Sequence, residues 1–308
     1  MSNENFPPDG KPVRVLPPLP PSQFASPEEA LARQQARDAR DAQIRGVTSI
    51  TAMRDAIRAA ARTLPPLQAI PRFGVLDAAT FLARARQGQP FLMTGLVQRW
   101  PLSKLEPHIL REQYAHLPVR ARVGDYINTA FAADRAMQDM TMGEYLALVD
   151  SGVHALPPYL GNLELRELNR LCHWPTYFSK MGPPRFWVGP VGTRTPLHCD
   201  YDDNIFAQIW GRKRIYLAPP HHDEFLYTRQ ANAILFGSPF DPSAPDFEAY
   251  PLARQANMIE FVVEPGDMLY VPAGWYLQVM ALSFSLSSNR WARAMPLALH
   301  DDPALQRL

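Results

Sequence analysis

Thr195-Pro-Leu-His198-Cys-Asp200-Tyr-Asp-Asp-Asn204 is the stretch around which this chain is organised, and Gly211-Arg-Lys213 follows it closely. If the stretch is a β-strand, the side chains of His198 and Asp200 point to the same face. An imidazole beside a carboxylate supplies two of the three ligands of the 2-His-1-carboxylate triad that holds non-haem Fe(II). The same pair also occurs as an ordinary strand or turn pair, so its interpretation depends on the rest of the chain.

Composition restricts the class of protein before any further motif is considered. The chain has 308 residues, a net charge of +1 and 46% hydrophobic residues. This length allows two domains, or one β-barrel-type domain with helical additions, and the small charge gives no global field that would attract nucleic acid. Two cysteines, Cys172 and Cys199, make no disulfide framework and favour a reducing, cytoplasmic location. The composition predicts neither a secretory signal nor a membrane span.

The N-terminal part divides into two segments. Residues 1–25 are rich in proline and predict an extended arm over the surface, with a docking segment for a partner as the alternative. Residues 26–66 predict two helices, the first beginning at Ser26-Pro27 and ending at Gly46. Acidic residues are interleaved with their arginines, which predicts a solvated face with intrahelical pairs, and nucleic-acid binding is the weaker alternative. The arginines are Arg33, Arg37, Arg40, Arg45, Arg54, Arg58 and Arg62.

The second half of the chain is predicted to consist mainly of short β-strands. Beyond about residue 155 it consists of short apolar runs broken by glycine and proline, such as Ile205 to Ile209 and Ile259 to Val263. Many short strands with such turns favour a sandwich, jelly roll or barrel. We therefore predict a mainly β fold with helical additions (α+β), in which a closed double sheet can hold a small ligand between its inner faces.

Several spaced motifs occur in one order along residues 68–292. They are Phe186-Trp-Val-Gly-Pro-Val-Gly-Thr-Arg-Thr195-Pro-Leu-His198-Cys-Asp200, Asn204, Gly211-Arg-Lys213, Leu217-Ala-Pro-Pro220, Glu264-Pro-Gly-Asp267-Met-Leu-Tyr-Val-Pro272-Ala-Gly-Trp275 and Asn289-Arg-Trp291. Together they resemble the cupin-like JmjC family of Fe(II)- and 2-oxoglutarate-dependent oxygenases, which includes the asparaginyl hydroxylase that acts on hypoxia-inducible factor. The resemblance implies a double-stranded β-helix, a cupin-like jelly roll, over residues 67–292, with residues 293–308 as a C-terminal tail.

The resemblance also implies a role for particular side chains. His198 and Asp200 become metal ligands, and Lys213 binds the distal carboxylate of 2-oxoglutarate. A buried ammonium needs an anion, although a surface Gly-Arg-Lys turn is the alternative. Strand alternation places Arg212 and Arg214 outside and Lys213 inside. The resemblance implies further contacts in the cosubstrate pocket from Tyr159, Thr195, Asn204, Asn289 and Trp291. For each of them the alternative is a polar group of the core that is satisfied by hydrogen bonds.

One position departs from the family pattern. The family closes its metal site with a second histidine in a Trp-Trp-His-type segment, and here the segment is Trp275-Tyr276-Leu277-Gln278. Leu277 stands at the histidine position and cannot coordinate a metal. Alternation aims Tyr276 and Gln278 at the opposite face, and only a bulge would turn either inward. His221 and His222 follow two prolines in what we expect to be an exposed turn. Fe(II) affinity should therefore fall substantially.

Two functions remain open on the sequence, and a purely structural β-protein is the weakest alternative to both. The resemblance implies an Fe(II)/2-oxoglutarate-dependent oxygenase with an incomplete metal triad, which would convert 2-oxoglutarate to succinate while hydroxylating a second substrate. The alternative is an inactive pseudo-oxygenase that binds 2-oxoglutarate or a similar dicarboxylate and acts as a sensor or protein-interaction module. A protein side chain or a small molecule is the expected primary substrate, and nucleic acid is a weaker alternative. A homodimer through the N-terminal helices is a further hypothesis.

Overall fold

The computed structural model describes residues 27–130, 135–178, 180–232, 235–293 and 295–300. The proline-rich arm and the end of the C-terminal tail lie outside these described residues. Within them, no helix combines the length and the apolar character needed to cross a membrane. The helices are α1 (Pro27–Arg45), α2 (Ile50–Arg62), α3 (Ala78–Ala85), α4 (Ile109–Glu112), α5 (Met142–Ser151) and α6 (Arg166–Asn169).

The strands occupy most of the second half of the described chain. In chain order they are β1 (Arg72–Phe73), β2 (Phe91–Met93), β3 (Pro118–Arg122), β4 (Met137–Thr141), β5 (Tyr159–Leu163), β6 (Arg185–Gly189), β7 (Arg194–Asp200), β8 (Asp203–Trp210), β9 (Lys213–Ala218), β10 (Arg229–Asn232), β11 (Leu235–Gly237), β12 (Ile259–Val263), β13 (Met268–Val271), β14 (Tyr276–Ala281) and β15 (Ser285–Ala292).

Two sheets face each other. The large sheet has the order β1-β2-β13-β8-β15-β6-β5-β3-β4, and the small sheet has the order β10-β11-β7-β14-β9-β12. From β6 to β9 and again from β12 to β15, consecutive strands alternate between the sheets. This alternation is the double-stranded β-helix of a jelly roll, and the predicted mainly β, cupin-like fold is confirmed. The space between the inner faces is where the candidate site lies.

Local sequence signals place several helices correctly. The Asp77 side chain accepts a hydrogen bond from the Thr80 backbone and begins α3. Thr141 and Glu144 form a reciprocal capping box at α5, which satisfies backbone N–H groups that the helix leaves unpaired. Between residues 106 and 116 the α-helix is confined to the four residues of α4 (Ile109–Glu112).

The N-terminal helices are docked on the small sheet. On α2, the side chains of Ile50, Met53 and Ile57 are buried and belong to a cluster with β-sheet residues such as Leu197 and Tyr276. This burial supplies the apolar contact that a helix of this length needs, since short isolated helices are marginal in water.

The arginines of these helices correct one prediction. Arg45 lies 2.5 Å from the Asp202 carboxylate, and both side chains are buried. Arg54 and Arg58 reach Asp223 at 2.8 and 3.0 Å. The expectation of a solvated face with intrahelical pairs is therefore wrong for these three, because loops that follow β7 and β9 carry the carboxylates that they bind. Arg58 also forms an intrahelical pair with Asp55 at 3.7 Å.

Candidate functional site

A cavity of about 350 Å³, its open mouth included, lies between the two sheets. Its size is at the lower end of the range for small-molecule sites, ~300–1,000 Å³. All nine positions singled out from the sequence line it, and strand alternation accounts for their common orientation. They are Tyr159, Thr195, His198, Asp200, Asn204, Lys213, Leu277, Asn289 and Trp291. Three further lining residues, Trp187, Phe206 and Val279, were missed.

Alternation could have found the three missed residues. Phe206 lies two positions after Asn204 on β8, and Val279 lies two positions after Leu277 on β14. Trp187 sits between Phe186 and Val188, which both point into the helix-packed core on the other face of the large sheet.

The inner end of the cavity carries a buried amine. Lys213 begins β9 and is 1% exposed, while Arg212 and Arg214 are partly exposed, as alternation predicts. The Nζ atom donates to Ser287 Oγ at 2.7 Å and lies 5.8 Å from the centre of the Phe206 ring. No carboxylate within the described ranges pairs with it, and burial lowers the pKa of Lys213 to about 7. A cation in this position favours the binding of an anion.

Hydroxyl groups stand beside the amine. Tyr159 is 2% exposed, and burial raises its pKa to about 12, against the opposing effects of the Arg122 charge and of a hydrogen bond with the Thr195 side chain. Both groups are therefore neutral near pH 7 and can donate to an anionic ligand.

Two amides form the next part of the wall. Asn289 Nδ2 donates to Asn204 Oδ1 at 2.9 Å, and both side chains are 4% exposed. The Oδ1 atom of Asn289 is buried and accepts no hydrogen bond from any residue that the structure describes. Because buried acceptors are nearly always satisfied, this atom indicates a position for a water or a ligand donor.

Toward the mouth, His198 and Asp200 are held by neighbouring groups. The Nδ1 atom of His198 lies 2.8 Å from the Pro196 carbonyl oxygen, an arrangement in which Nδ1–H donates and a metal would bind Nε2. Trp291 Nε1 donates to Asp200 Oδ2 at 3.0 Å. Hydrogen bonds of this kind orient ligand side chains in metal sites.

Leu277 occupies the place opposite the histidine. In the antiparallel pairing of β14 with β7, Leu277 is the partner of His198, and Val279 is the partner of Thr195. The register therefore contains a bulge with one extra residue on β7, between Thr195 and His198. Leu277 and Val279 both still face the cavity.

The bulge does not supply a substitute ligand. Gln278 points to the outer face of the small sheet, where Nε2 donates to Asp241 Oδ1 at 2.7 Å. Tyr276 is buried in the cluster beneath α2. The expectation that neither side chain turns inward therefore agrees with their contacts.

The remaining histidines near the small sheet belong elsewhere. His221 and His222 lie on a 3-10 turn, Pro220–His222, and are partly buried, so the expected exposed turn is wrong. The Nδ1 atom of His222 accepts from the Asn257 backbone at 2.9 Å, and burial lowers the pKa of His222 to about 4. Both residues line a separate pocket beside Trp275.

The two ends of the cavity differ in which ligand their side chains fit, a metal ion or a dicarboxylate. Within the described ranges no three or more His, Cys, Asp or Glu side chains gather as a metal-binding group. His198, Asp200 and an apolar Leu277 do not fit a facial triad. The inner end, with an unpaired ammonium, two hydroxyls and two amides, does fit a small dicarboxylate.

Comparisons with known proteins agree with this geometry. A family profile described as a cupin-like domain matches residues 78–296. The chain is 28% identical over 220 residues to the Jumonji C domain-containing protein 5 of Drosophila melanogaster, which covers 65% of this chain and 54% of the relative. It is 27% identical over 212 residues to lysine-specific demethylase 8 of Xenopus tropicalis, covering 66% and 48%. A tRNA wybutosine-synthesizing protein 5 of Danio rerio is 32% identical over 141 residues, covering 44% and 41%. The chain thus spans about half the length of the curated relatives it matches.

Proposed function

This chain belongs to the cupin-like JmjC family of 2-oxoglutarate oxygenases, and on that premise we propose that its cavity binds 2-oxoglutarate or a dicarboxylate of similar size. We propose further that Leu277 makes such binding, as a sensor or interaction module, the activity that the site supports best. The single observation that carries the proposal is the fully buried Lys213, which has a neutral hydroxyl as its hydrogen-bond partner.

An ammonium in this environment is costly without an anion, because burial removes its hydration and the single hydrogen bond to Ser287 replaces only part of it. A ligand carboxylate at Nζ would supply a charge-assisted hydrogen bond of the strong class. Tyr159 and Thr195 would donate to the same carboxylate, which leaves the opposite end of the ligand directed toward His198 and Asp200.

Calorimetric titration of the full chain with 2-oxoglutarate tests this proposal. We expect saturable one-to-one binding that is lost in Lys213→Met and retained in Lys104→Met, a matched change at an exposed lysine. Absence of any heat from wild type, or equal affinity in the two variants, would refute the role given to Lys213.

Fe(II)-dependent hydroxylation is the second candidate. It is favoured by the orientation of His198 and Asp200, whose hydrogen bonds to Pro196 and Trp291 are those expected of metal ligands. The family implies conversion of 2-oxoglutarate to succinate, coupled to hydroxylation. Measuring succinate release in air, with added Fe(II), separates the candidates: stoichiometric binding without succinate supports the sensor, and sustained release supports the oxygenase.

The primary substrate, location and assembly are further proposals. A protein side chain or a small molecule is our proposed substrate class, and nucleic acid is the weaker alternative that the similarity to a tRNA wybutosine-synthesizing protein keeps open. We also propose a cytoplasmic location and a homodimer, and sedimentation of the full chain measures the latter directly.

A further inference from the structure

A second buried cation lies beside the cavity, next to the Tyr159 ring. Arg122 is the last residue of β3 and is 7% exposed. Its guanidinium forms no hydrogen bond or ion pair with any described residue, and its Nε atom is inaccessible to solvent and has no partner. Arg120, two positions earlier on the strand, is half exposed and pairs with Asp139 at 3.3 Å. The buried arginine is therefore the one that lacks a counter-charge.

The fold holds this guanidinium in a defined position. Gly161 on β5 leaves room for the guanidinium, since a Cβ atom at this position would lie 2.8 Å from Arg122 Cζ. The Tyr159 ring centre is 5.6 Å from the same Cζ atom. A side chain packed against a glycine and an aromatic ring is pre-organised, so little conformational entropy remains to be lost on binding a ligand.

Strand register connects the arginine to the cavity. Arg122 is the direct partner of Tyr159 across β3 and β5, so both side chains share one face of the large sheet. Tyr159 lines the cavity, and so does the partly exposed Trp187 on the next strand, β6. Arg122 thus lies on the same face of the large sheet as the cavity, one strand beyond Tyr159.

The charges nearby increase the need for an anion. Burial lowers the pKa of Arg122, and the positive charge of the nearby Arg135 also lowers it, to a smaller extent. Arg135 itself donates to the Ala130 carbonyl oxygen. An arginine stays protonated under these conditions, so the positive charge persists and faces a wall without a described carboxylate partner.

We propose that Arg122 forms a second anion subsite beside the cosubstrate cavity, which takes a carboxylate or phosphate group of the primary substrate. The reference to a primary substrate rests on the proposed function, whereas the anion site itself does not. A guanidinium suits either oxyanion because its parallel N–H groups match their geometry. The proposal selects acidic molecules over neutral or basic ones on the Tyr159 side of the cavity.

The test follows the side-chain Nε–H resonance of Arg122 by NMR in the uniformly 15N-labelled full chain. The resonance is assigned by its loss in Arg122→Met. Inorganic phosphate and acetate are titrated separately, at constant ionic strength, with and without saturating 2-oxoglutarate. We expect the resonance to shift saturably with at least one of them, in wild type and in the matched control Arg120→Met. Saturation by phosphate alone or acetate alone identifies the group.

Three results would overturn the subsite. The resonance could fail to shift, or it could shift linearly with both anions, as for general screening. In the third, 2-oxoglutarate itself would displace the bound anion, which would make Arg122 part of the cosubstrate site.

A separate measurement guards against a purely structural role: the melting temperature of Arg122→Met should equal or exceed that of wild type, because an unpaired buried charge is removed. A marked fall in that temperature contradicts the proposal. If 2-oxoglutarate does not bind but the phosphate or acetate shift saturates, the proposed function fails and the anion site stands.

Discussion

Replacing Lys213 with methionine should make the ligand-free protein more stable while abolishing its affinity for 2-oxoglutarate. The methionine keeps the length and apolar stem of the side chain and removes the ammonium, which is the group that burial penalises. In the folded protein the pKa of Lys213 is lowered from 10.5 to about 7. At about 1.36 kcal/mol per pKa unit, this difference corresponds to an upper bound of about 5 kcal/mol.

The sign of the effect follows from the protons bound by each state. Between pH 7 and 10.5 the unfolded chain keeps the lysine proton and the folded protein has lost it. The free energy of unfolding of wild type therefore rises with pH through this window, by at most about 1.4 kcal/mol per unit. Below pH 7 the full penalty is present, and it disappears near pH 10.5. In the variant, the loss of the hydrogen bond to Ser287 offsets only about 1 kcal/mol of the stability that is gained by removing the charge.

Urea unfolding of wild type and Lys213→Met, followed by tryptophan fluorescence at a series of pH values, measures this difference. We expect the variant to be the more stable protein at pH 6 and the two curves to converge as the pH approaches 10. Adding 2-oxoglutarate at ~100 times its Kd should stabilise wild type by about 2.7 kcal/mol and leave the variant unchanged. A variant less stable than wild type at pH 6, or a difference independent of pH, would refute the assignment of Lys213 as an uncompensated cation.

The other predictions concern the metal position, the N-terminal helices and the turn before β9. Leu277→His should raise Fe(II) affinity by at least ~10-fold in anaerobic calorimetry, and Tyr276→His, on the opposite face, should not; equal affinities would show that position 277 is not the missing ligand. Arg45→Met leaves the buried Asp202 carboxylate without its partner and should lower the free energy of unfolding in urea by ~3–5 kcal/mol; a loss below 1 kcal/mol contradicts the pairing. Gly211→Ala should lower it by at least ~3 kcal/mol, because φ is +66° and the new Cβ would lie 2.0 Å from a backbone oxygen; a near-neutral effect would place that turn differently.

The sequence is most informative where side chains alternate along a strand. His198 and Asp200 on β7 and Lys213 at the start of β9 come to one cavity because period-2 alternation and two short turns leave few other arrangements. The caps at Asp77 and Thr141 are equally local, because each forms with a residue three positions later in the chain. The chemical roles of the cavity residues are still predictions.

Long-range pairings were beyond the sequence. Arg45 binds a carboxylate 157 positions away, and nothing near it in the chain distinguishes it from the exposed arginines of α1. Arg122 was missed because its environment depends on the register of β3 with β5 and on a glycine of another strand. Such contacts depend on which strands are adjacent in the sheet, and a local pattern does not contain that information.

The Arg45 contacts have a consequence for how the molecule can be controlled. Its guanidinium donates hydrogen bonds to the Tyr201 carbonyl oxygen and the Asp202 carboxylate, immediately after the strand that ends at Asp200. The N-terminal helices thus contact the turn that directly follows a cavity-lining strand. By thermodynamic linkage, any effect of binding at the helices on affinity in the cavity is matched by an equal effect in the opposite direction. If the binding of a dicarboxylate shifts that turn, the affinity of the helices for a partner changes by the same factor by which the partner changes the affinity for the dicarboxylate.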